Sequence, residues 1–252
     1  MKTILITGAS SGIGEACARK FSTENYRLIL CSRSLENLQR IKSELSNSSN
    51  EIFTYRVDVT NFEDVNKMFN SIEEMSLAPD VLINSAGLAL GLENLEDGNA
   101  LDWETMIDTN VTGLLYITKG ALRIMKERDS GHIVNIGSIA GVNTYKKGIV
   151  YAATKSAVKS ISDGLRKEVV EHRIKITNIQ PGLVETNFSK VRFKGDNKSA
   201  DSVYEGIEPL TATDVADIVA FSINSPNHVQ INEVTVTPVH QANVEHIYRN
   251  NK

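Results

Sequence analysis

Apolar and polar positions follow two rhythms along this chain. Short apolar runs predict strands at Thr3–Ile6, Arg27–Cys31, Ile52–Val57, Asp80–Ile83, His132–Ile136, Ile174–Ile179 and Val234–Thr237. The early runs are apolar on both faces, as parallel strands covered by helices on each side must be. Between them the apolar period lengthens to that of a helix. Ile13, Cys17 and Phe21 share one face; Leu35, Leu38, Ile41, Lys42 and Leu45 form a second stripe, and Val65, Met68, Phe69 and Ile72 a third. Strand–helix alternation of this kind predicts right-handed crossovers and an α/β fold built on one doubly wound parallel sheet. The most linker-like stretch, Ser46–Asn50, reads as a turn, so residues 1–252 are expected to form one domain. After Gly182 the rhythm breaks. Glu185–Tyr204 mixes charges and aromatics without a period, which predicts a helical lid over 185–210. A surface excursion without a role is the plainer alternative.

The first predicted strand runs directly into Thr7-Gly8-Ala9-Ser10-Ser11-Gly12-Ile13-Gly14 and then a helix. Backbone N–H groups at such a helix start can meet a phosphate. Gly8 permits the tight turn, Gly12 a close approach of the main chain, and Gly14 the packing of helix on strand. The second strand ends in Cys31-Ser32-Arg33-Ser34. An acid at this point would bond a free ribose 2′-hydroxyl. Ser32 stands there instead, and Arg33 offers a charge-assisted contact to a 2′-phosphate, so NADP is the expected cofactor. Arg33 as a solvated helix-start residue is the alternative.

Further strings complete the pattern: Asp58-Val59 after the third strand, Asn84-Ser85-Ala86-Gly87 after the fourth, Ser138 after the fifth, Tyr151-xxx-Lys155 opening a helical segment, and Pro181-Gly182 with Thr186 after the sixth. Together these resemble the short-chain dehydrogenase/reductase family over nearly the whole chain, with Ser85 in place of the second Asn of an Asn-Asn-Ala-Gly motif. The resemblance implies a Rossmann-type sheet of about seven strands and a catalytic set of Asn110, Ser138, Tyr151 and Lys155. It also implies a cofactor site of Gly8, Ser10, Ser11, Gly12, Ile13, Gly14, Arg33, Ser34, Asp58, Val59, Asn84, Ala86, Gly87, Tyr151, Lys155, Pro181, Gly182, Val184 and Thr186. Within the family, Gly87–Gly91, Asp102–Asn110, Pro181–Thr186 and Val191–Asp196 resemble the NADP-dependent 3-hydroxy acid dehydrogenase (serine dehydrogenase-like) subgroup. That implies small 3-hydroxy acids or the matching semialdehydes as substrates, with sulfonate aldehydes as related candidates. Tyr248 and Lys252 make a second Tyr-xxx-Lys match, assigned to chance because no nucleotide motif leads to it.

The chemistry explains why these residue types belong together. Reducing a carbonyl needs a hydride on carbon and a proton on oxygen, and the protein must supply the proton and polarise the oxygen. Tyrosine ordinarily titrates near 10, far from neutral pH. Residues four apart share a helix face, so Lys155 can stand beside Tyr151. At about 4 Å and an effective dielectric of about 20, that ammonium would favour the phenolate by up to about 4 kcal/mol, roughly three pKa units. Ser138 can hydrogen-bond the substrate oxygen, and the resemblance implies that Asn110 holds a water of a proton path. Substrate contacts are expected from Ser138, Tyr151 and Arg192. Arg192, with Lys194 beside it, brings positive charge to the lid and can grip an acid group bidentately.

Composition narrows the class without adding chemistry. A net charge of −4 gives no basic field for nucleic acid. The two cysteines, Cys17 and Cys31, have no metal-ligand spacing and fit a reducing compartment. The apolar run after Met1-Lys2 is too short for a signal or membrane segment, so a cytoplasmic protein without membrane contact is expected. His132, His172, His228, His240 and His246 read as structural or surface groups. Segments Ala100–Arg128 and Tyr151–His172 look like the long helices that pair across subunits in this family, which implies a homotetramer. A general NADPH-dependent carbonyl reductase and a non-catalytic dinucleotide sensor are the alternative functions.

Overall fold

The computed structural model describes residues 1–45 and 51–250. The turn expected at Ser46–Asn50, and Lys252, lie outside the described residues. Strands β1 (Lys2–Thr7), β2 (Tyr26–Ser32) and β3 (Ile52–Arg56) alternate with helices α1 (Gly12–Ser22), α2 (Leu35–Leu45) and α3 (Phe62–Glu74). The second half continues with β4 (Val81–Asn84), α4 (Ala100–Ile107), α5 (Leu114–Glu127), β5 (Gly131–Ile136), α6 (Ile149–Glu168) and β6 (Ile174–Pro181). Then come the short β7 (Val184–Glu185), α7 (Phe188–Arg192), α8 (Asn197–Ser202) and β8 (Leu210–Thr211), followed by α9 (Ala212–Ile223) and β9 (Glu233–Val236).

Seven strands form one parallel sheet in the order β3-β2-β1-β4-β5-β6-β9. Each corresponds to a run predicted from the sequence, with ends shifted by a residue or two. Alternation along each strand feeds two cores. Ile4, Ile6, Leu28 and Leu30 pack with α1, α2 and α9, while Leu5, Ile29 and Cys31 pack with α3, α5 and α6. The α3 stripe of Val65, Met68, Phe69 and Ile72 is fully committed to the second core. The chain winds outward from β1 to β3, then returns to the other side of β1 at β4. That reversal opens a crevice at the carboxyl ends of β1 and β4, where ligands bind in folds of this kind.

One expectation needs correction, and a second gains detail. The long helix expected over Ala100–Arg128 is interrupted between α4 and α5 by a π-helical turn, Asp108–Gly113. Gly113 allows it to press on the strand β3 exit: a Cβ there would lie 2.7 Å from Val59 Cγ2. The 185–210 excursion carries two short helices and is stapled at its base by a second parallel pair, Val184↔Leu210 and Glu185↔Thr211. A two-residue pair has too short a pattern to be visible in sequence. Among the described residues, no helix is long and apolar enough to cross a membrane.

Candidate active site

The crevice at the strand reversal is a cleft of about 610 Å³. One wall grows from the β1–α1 turn. Gly8 (φ 63°) and Gly12 (φ 56°) are left-handed, a region that side chains with a Cβ seldom occupy. A Cβ on Gly8 would lie 2.9 Å from the Ala86 nitrogen, and one on Gly14 would run into the Gly8 carbonyl. Thr7 Oγ1 ties this turn to the β4 exit by accepting from Ser85 N and Ala86 N, both at 3.0 Å. At the N-terminus of α1, Ser11 makes no side-chain cap bond. First-turn N–H groups therefore remain for a ligand, and the open cradle of Gly8, Ser10, Ser11, Gly12 and Ile13 fits a phosphate.

Arg33 is exposed at the edge of the same wall, without an ion-pair partner among the described residues, between Ser32 and Ser34. Ser34 Oγ receives Asn37 N at the start of α2. Asp58 Oδ1 accepts from Thr60 N and Oγ1, which shapes the turn after β3, and Val59 lines the cleft beside it. Asn84 is buried behind the wall rather than in it; Asn84 Nδ2 donates to Thr118 Oγ1 and to Asn135 Oδ1. Gly14 likewise supports from behind.

The floor is where β4, β5 and α6 meet. Ala86 and Gly87 face the cleft, and a Cβ on Gly87 would lie 3.2 Å from Asn110 Oδ1 and 3.5 Å from Lys155 Nζ. Ser138 ends the β5 exit, its Oγ accepting from Ala140 N at 3.1 Å. Tyr151 stands in the first turn of α6 with Lys155 one turn on. Lys155 Nζ donates to the Ile136 carbonyl at 2.8 Å and lies 5.9 Å from the Tyr151 ring centroid. The structure thus brings Ser138, Tyr151 and Lys155 to one place.

Their electrostatics differ from the sequence argument. Burial pushes the Tyr151 phenol up to about 12, with Tyr145 adding to the rise, while a hydrogen bond with Ser138 and the charge of Arg192 pull it back. Burial also brings Lys155 down to about 8. Lys155 is not the cation that lowers Tyr151. Its ammonium points at the Ile136 carbonyl, and its own charge is disfavoured where it sits. Asn110 is tied into the protein around it. Its Nδ2 donates to the Leu88 carbonyl and Thr154 Oγ1, and its Oδ1 accepts from Leu88 N. Both amide hydrogens are committed to protein atoms, so the side chain anchors the loop after β4 and has no N–H left for a water.

The far wall comes from late segments. Pro181, Gly182, Val184 and Thr186 line it, and Thr186 sits over the glycine turn, 3.5 Å from where a Gly12 Cβ would be. Arg192 Nε donates to the Gly91 carbonyl at 3.1 Å, Nη2 reaches the Tyr145 hydroxyl, and the guanidinium lies 5.6 Å from the Tyr151 ring centroid. Lys194 does not join it: its ammonium pairs with Asp102 at 2.7 Å, outside the cleft. Sequence reading missed Tyr145 and the C-terminal residues Gln241, Val244, Ile247 and Arg249, which also line the cleft. Tyr145 had one usable signal, its place between Ser138 and Tyr151. The tail had none. Lining cations are Arg33, Lys146, Lys155, Arg192 and Arg249 against one acid, Asp58, in a chain of net charge −4. Such a cleft focuses positive potential on small anions.

Fold and cleft define a doubly wound nucleotide-binding protein with a Tyr-Lys pair poised at the strand reversal. More specifically, the chain belongs to the short-chain dehydrogenase family, whose model matches residues 2–197. The NADP-dependent 3-hydroxy acid dehydrogenase of Schizosaccharomyces pombe is 42% identical over 98% of this chain and 96% of its own length. A protein of the same description from Escherichia coli K12 is 41% identical over 95% of this chain and 96% of its own. Among solved structures, the closed form of serine dehydrogenase complexed with NADP+ superposes with a TM-score of 0.91 at 40% identity, covering 98% of this chain and all of that one.

Proposed function

We propose that this protein is an NADP-dependent oxidoreductase that interconverts a small 3-hydroxy acid of the serine type and the corresponding carbonyl acid. The carrying observation is the convergence of Ser138, Tyr151 and Lys155 beneath Arg192, beside an uncapped helix N-terminus. Relatives and a solved neighbour described as NADP-dependent or NADP-bound support it.

When bound, the cofactor accepts or supplies the hydride. The chain does the rest. Gly8, Ser10, Ser11, Gly12 and Ile13 hold the pyrophosphate, and Arg33 with Ser34 holds the 2′-phosphate. Asp58 and Val59 flank the adenine; Ala86, Gly87, Pro181, Gly182, Val184 and Thr186 bound the nicotinamide end. In oxidation the Tyr151 oxygen takes the substrate hydroxyl proton; in reduction it returns one to the carbonyl oxygen. Ser138 Oγ bonds that oxygen in both directions and stabilises the charge that develops there. Lys155, lining the cleft one turn beyond Tyr151, would hold the nicotinamide end of the cofactor, and Arg192 fixes the acid group so that the reacting carbon is held in place.

The test is Arg192→Ala, assayed with 3-hydroxypropionate and its neutral isostere 3-hydroxypropanamide. The KM for the acid should rise far more than that for the amide. A comparable change for both would remove Arg192 from substrate recognition.

We further propose one catalytic domain with 185–210 as its lid, and a homotetramer in the cytoplasm. Leu101, Ile107, Leu115 and Ile149 support the assembly by exposing apolar surface on α4, α5 and α6. Light scattering that finds a 27.7 kDa monomer would refute it.

A further inference from the structure

Arg192 is a long side chain, and nothing in its covalent structure places the guanidinium over Tyr151. The surroundings must do so. Its residue is stitched to the loop after β4 by two hydrogen bonds with one glycine: Gly91 N donates to the Arg192 carbonyl at 3.0 Å, and Arg192 Nε donates to the Gly91 carbonyl at 3.1 Å. Arg192 Nη1 has no protein partner among the described residues and is left for an acid oxygen.

Two residues further on, the chain reverses through consecutive left-handed residues, Lys194 (φ 52°) and Gly195 (φ 92°). This reversal closes α7: Lys194 N donates to the Val191 carbonyl at 3.1 Å and Gly195 N to the Lys190 carbonyl at 2.9 Å, which fixes the direction in which the Lys194 side chain leaves the helix end. Lys194 is held by Asp102, at 2.7 Å, in the first turn of α4. Asp102 keeps only 14% side-chain exposure, so its carboxylate is set in the body of the protein while the lysine reaches in from solvent. Among the described residues, no other ion pair joins the 185–210 excursion to the rest of the chain.

We propose that Asp102 and Lys194 form a clasp that holds the Arg192 guanidinium over Tyr151, making both of them positioning residues for acid recognition. The proposal rests on the reading of Arg192 as the acid-binding group. The clasp lies outside the cleft, so it acts only through the two-residue tether to Arg192. This explains why Lys194, expected from sequence to face the substrate, faces α4 instead. The charge of Arg192 acts on Tyr151 together with the Ser138 hydroxyl and Tyr145, while the Lys155 ammonium, 5.9 Å from the ring centroid, is turned to the Ile136 carbonyl. Loosening the clasp therefore bears on the proton donor as well as on binding.

The protein carries its own reporter. Trp103, its one tryptophan, follows Asp102 and shares an apolar cluster with Tyr151 and the excursion residue Phe188. The experiment compares Asp102→Asn, Lys194→Met, Lys194→Arg and the charge swap Asp102→Lys with Lys194→Asp. Each is assayed with 3-hydroxypropionate and 3-hydroxypropanamide, and by Trp103 emission without substrate. Both single charge removals should raise the acid-to-amide KM ratio by about two- to fivefold, the range an exposed ion pair supports. They should also shift Trp103 emission and move the acidic limb of the pH profile for oxidation upward, because Tyr151, the base in that direction, loses part of the charge that lowers it. Lys194→Arg and the swap should restore all three. An unchanged ratio in the single variants, with Arg192→Ala still raising it, would overturn the clasp and keep the acid-binding reading. An unchanged ratio in Arg192→Ala as well would overturn both. Lys194 is 55% exposed, so its variants fold whatever becomes of Asp102→Asn.

Discussion

The two walls of the cleft are built in opposite ways. The cofactor wall is one continuous run of strand, turn and helix, fixed by backbone geometry: left-handed Gly8 and Gly12, and a Gly14 with no room for a Cβ. The substrate wall is gathered from four distant places: the loop near Gly91, Tyr145, the 185–210 excursion and the tail from Gln241 to Arg249. Its parts are joined by side chains. Gln241 Oε1 receives Leu183 N, Arg249 donates to the Val203 and Glu205 carbonyls, and Lys194 meets Asp102. A wall made of backbone constraints binds a constant group, and one made of side chains adapts to a variable one. Cofactor binding should therefore be insensitive to changes at Tyr145, Arg192 and the tail, and substrate choice insensitive to changes in the glycine turn and Arg33.

The largest effect should fall where the walls meet. Tyr151→Phe keeps the ring packed against Phe188 and removes only the hydroxyl. Turnover should drop by about 10²- to 10⁴-fold, the range for a lost general acid–base, while NADPH titration shows near-normal affinity. A variant keeping more than a few per cent of wild-type kcat would remove Tyr151 from that role. Next comes Arg33→Ala on the near wall. It should weaken NADPH by about ten- to a hundredfold, the value of one charged hydrogen bond, and leave NADH and the substrate KM almost untouched. Equal losses for both cofactors would break the assignment. On the far wall, Arg192→Ala should raise KM for 3-hydroxypropionate by about tenfold without altering NADPH affinity. Damage to cofactor binding there would dissolve the distinction between the walls.

The smallest effect on activity comes from the opposite end of β5. His132 Nε2 lies 2.8 Å from Thr177 Oγ1, whose own hydrogen goes to the Ile231 carbonyl, so the ring must donate and is the neutral Nε2–H form. Burial pushes its pKa from 6.5 down to about 3. Between those values the unfolded chain binds the extra proton, so stability is full above 6.5 and falls as pH drops toward 3. The loss is of order 5 kcal/mol for the whole shift. Chemical denaturation along an acid series should show it, and His132→Gln should flatten it while leaving kcat near neutral pH intact.

The same contrast explains what the sequence revealed. Seven strands and the α3 stripe were legible because periodicity reports burial by secondary structure. Gly8 and Gly12, and Tyr151 and Lys155, were legible because their spacing is local to one turn or one helix, while Ser138 was legible only through the family pattern that ties a serine after the fifth strand to them. The π-helical turn was not, since it depends on Gly113 meeting Val59 and on Asn110 reaching Leu88 and Thr154 across the chain. Nor was the pairing of Lys194, because no spacing rule links it to a residue 92 positions earlier on another element. Lys155 stands beside the Tyr151 ring, as helical spacing predicts, but its ammonium is turned to the Ile136 carbonyl. Helical spacing says that two side chains are neighbours; it does not say which way an ammonium points.

The account's central claim is that the cleft joins a 2′-phosphorylated cofactor to a small acid. It is tested most directly by initial rates of reduced-nicotinamide formation from 3-hydroxypropionate and from 3-hydroxypropanamide, each with NADP and with NAD. Wild-type kcat/KM should be highest for acid with NADP, by about tenfold or more over either single change, as one charged contact is lost in each. Equal values across the four pairs, or faster turnover of the amide than of the acid, would contradict it.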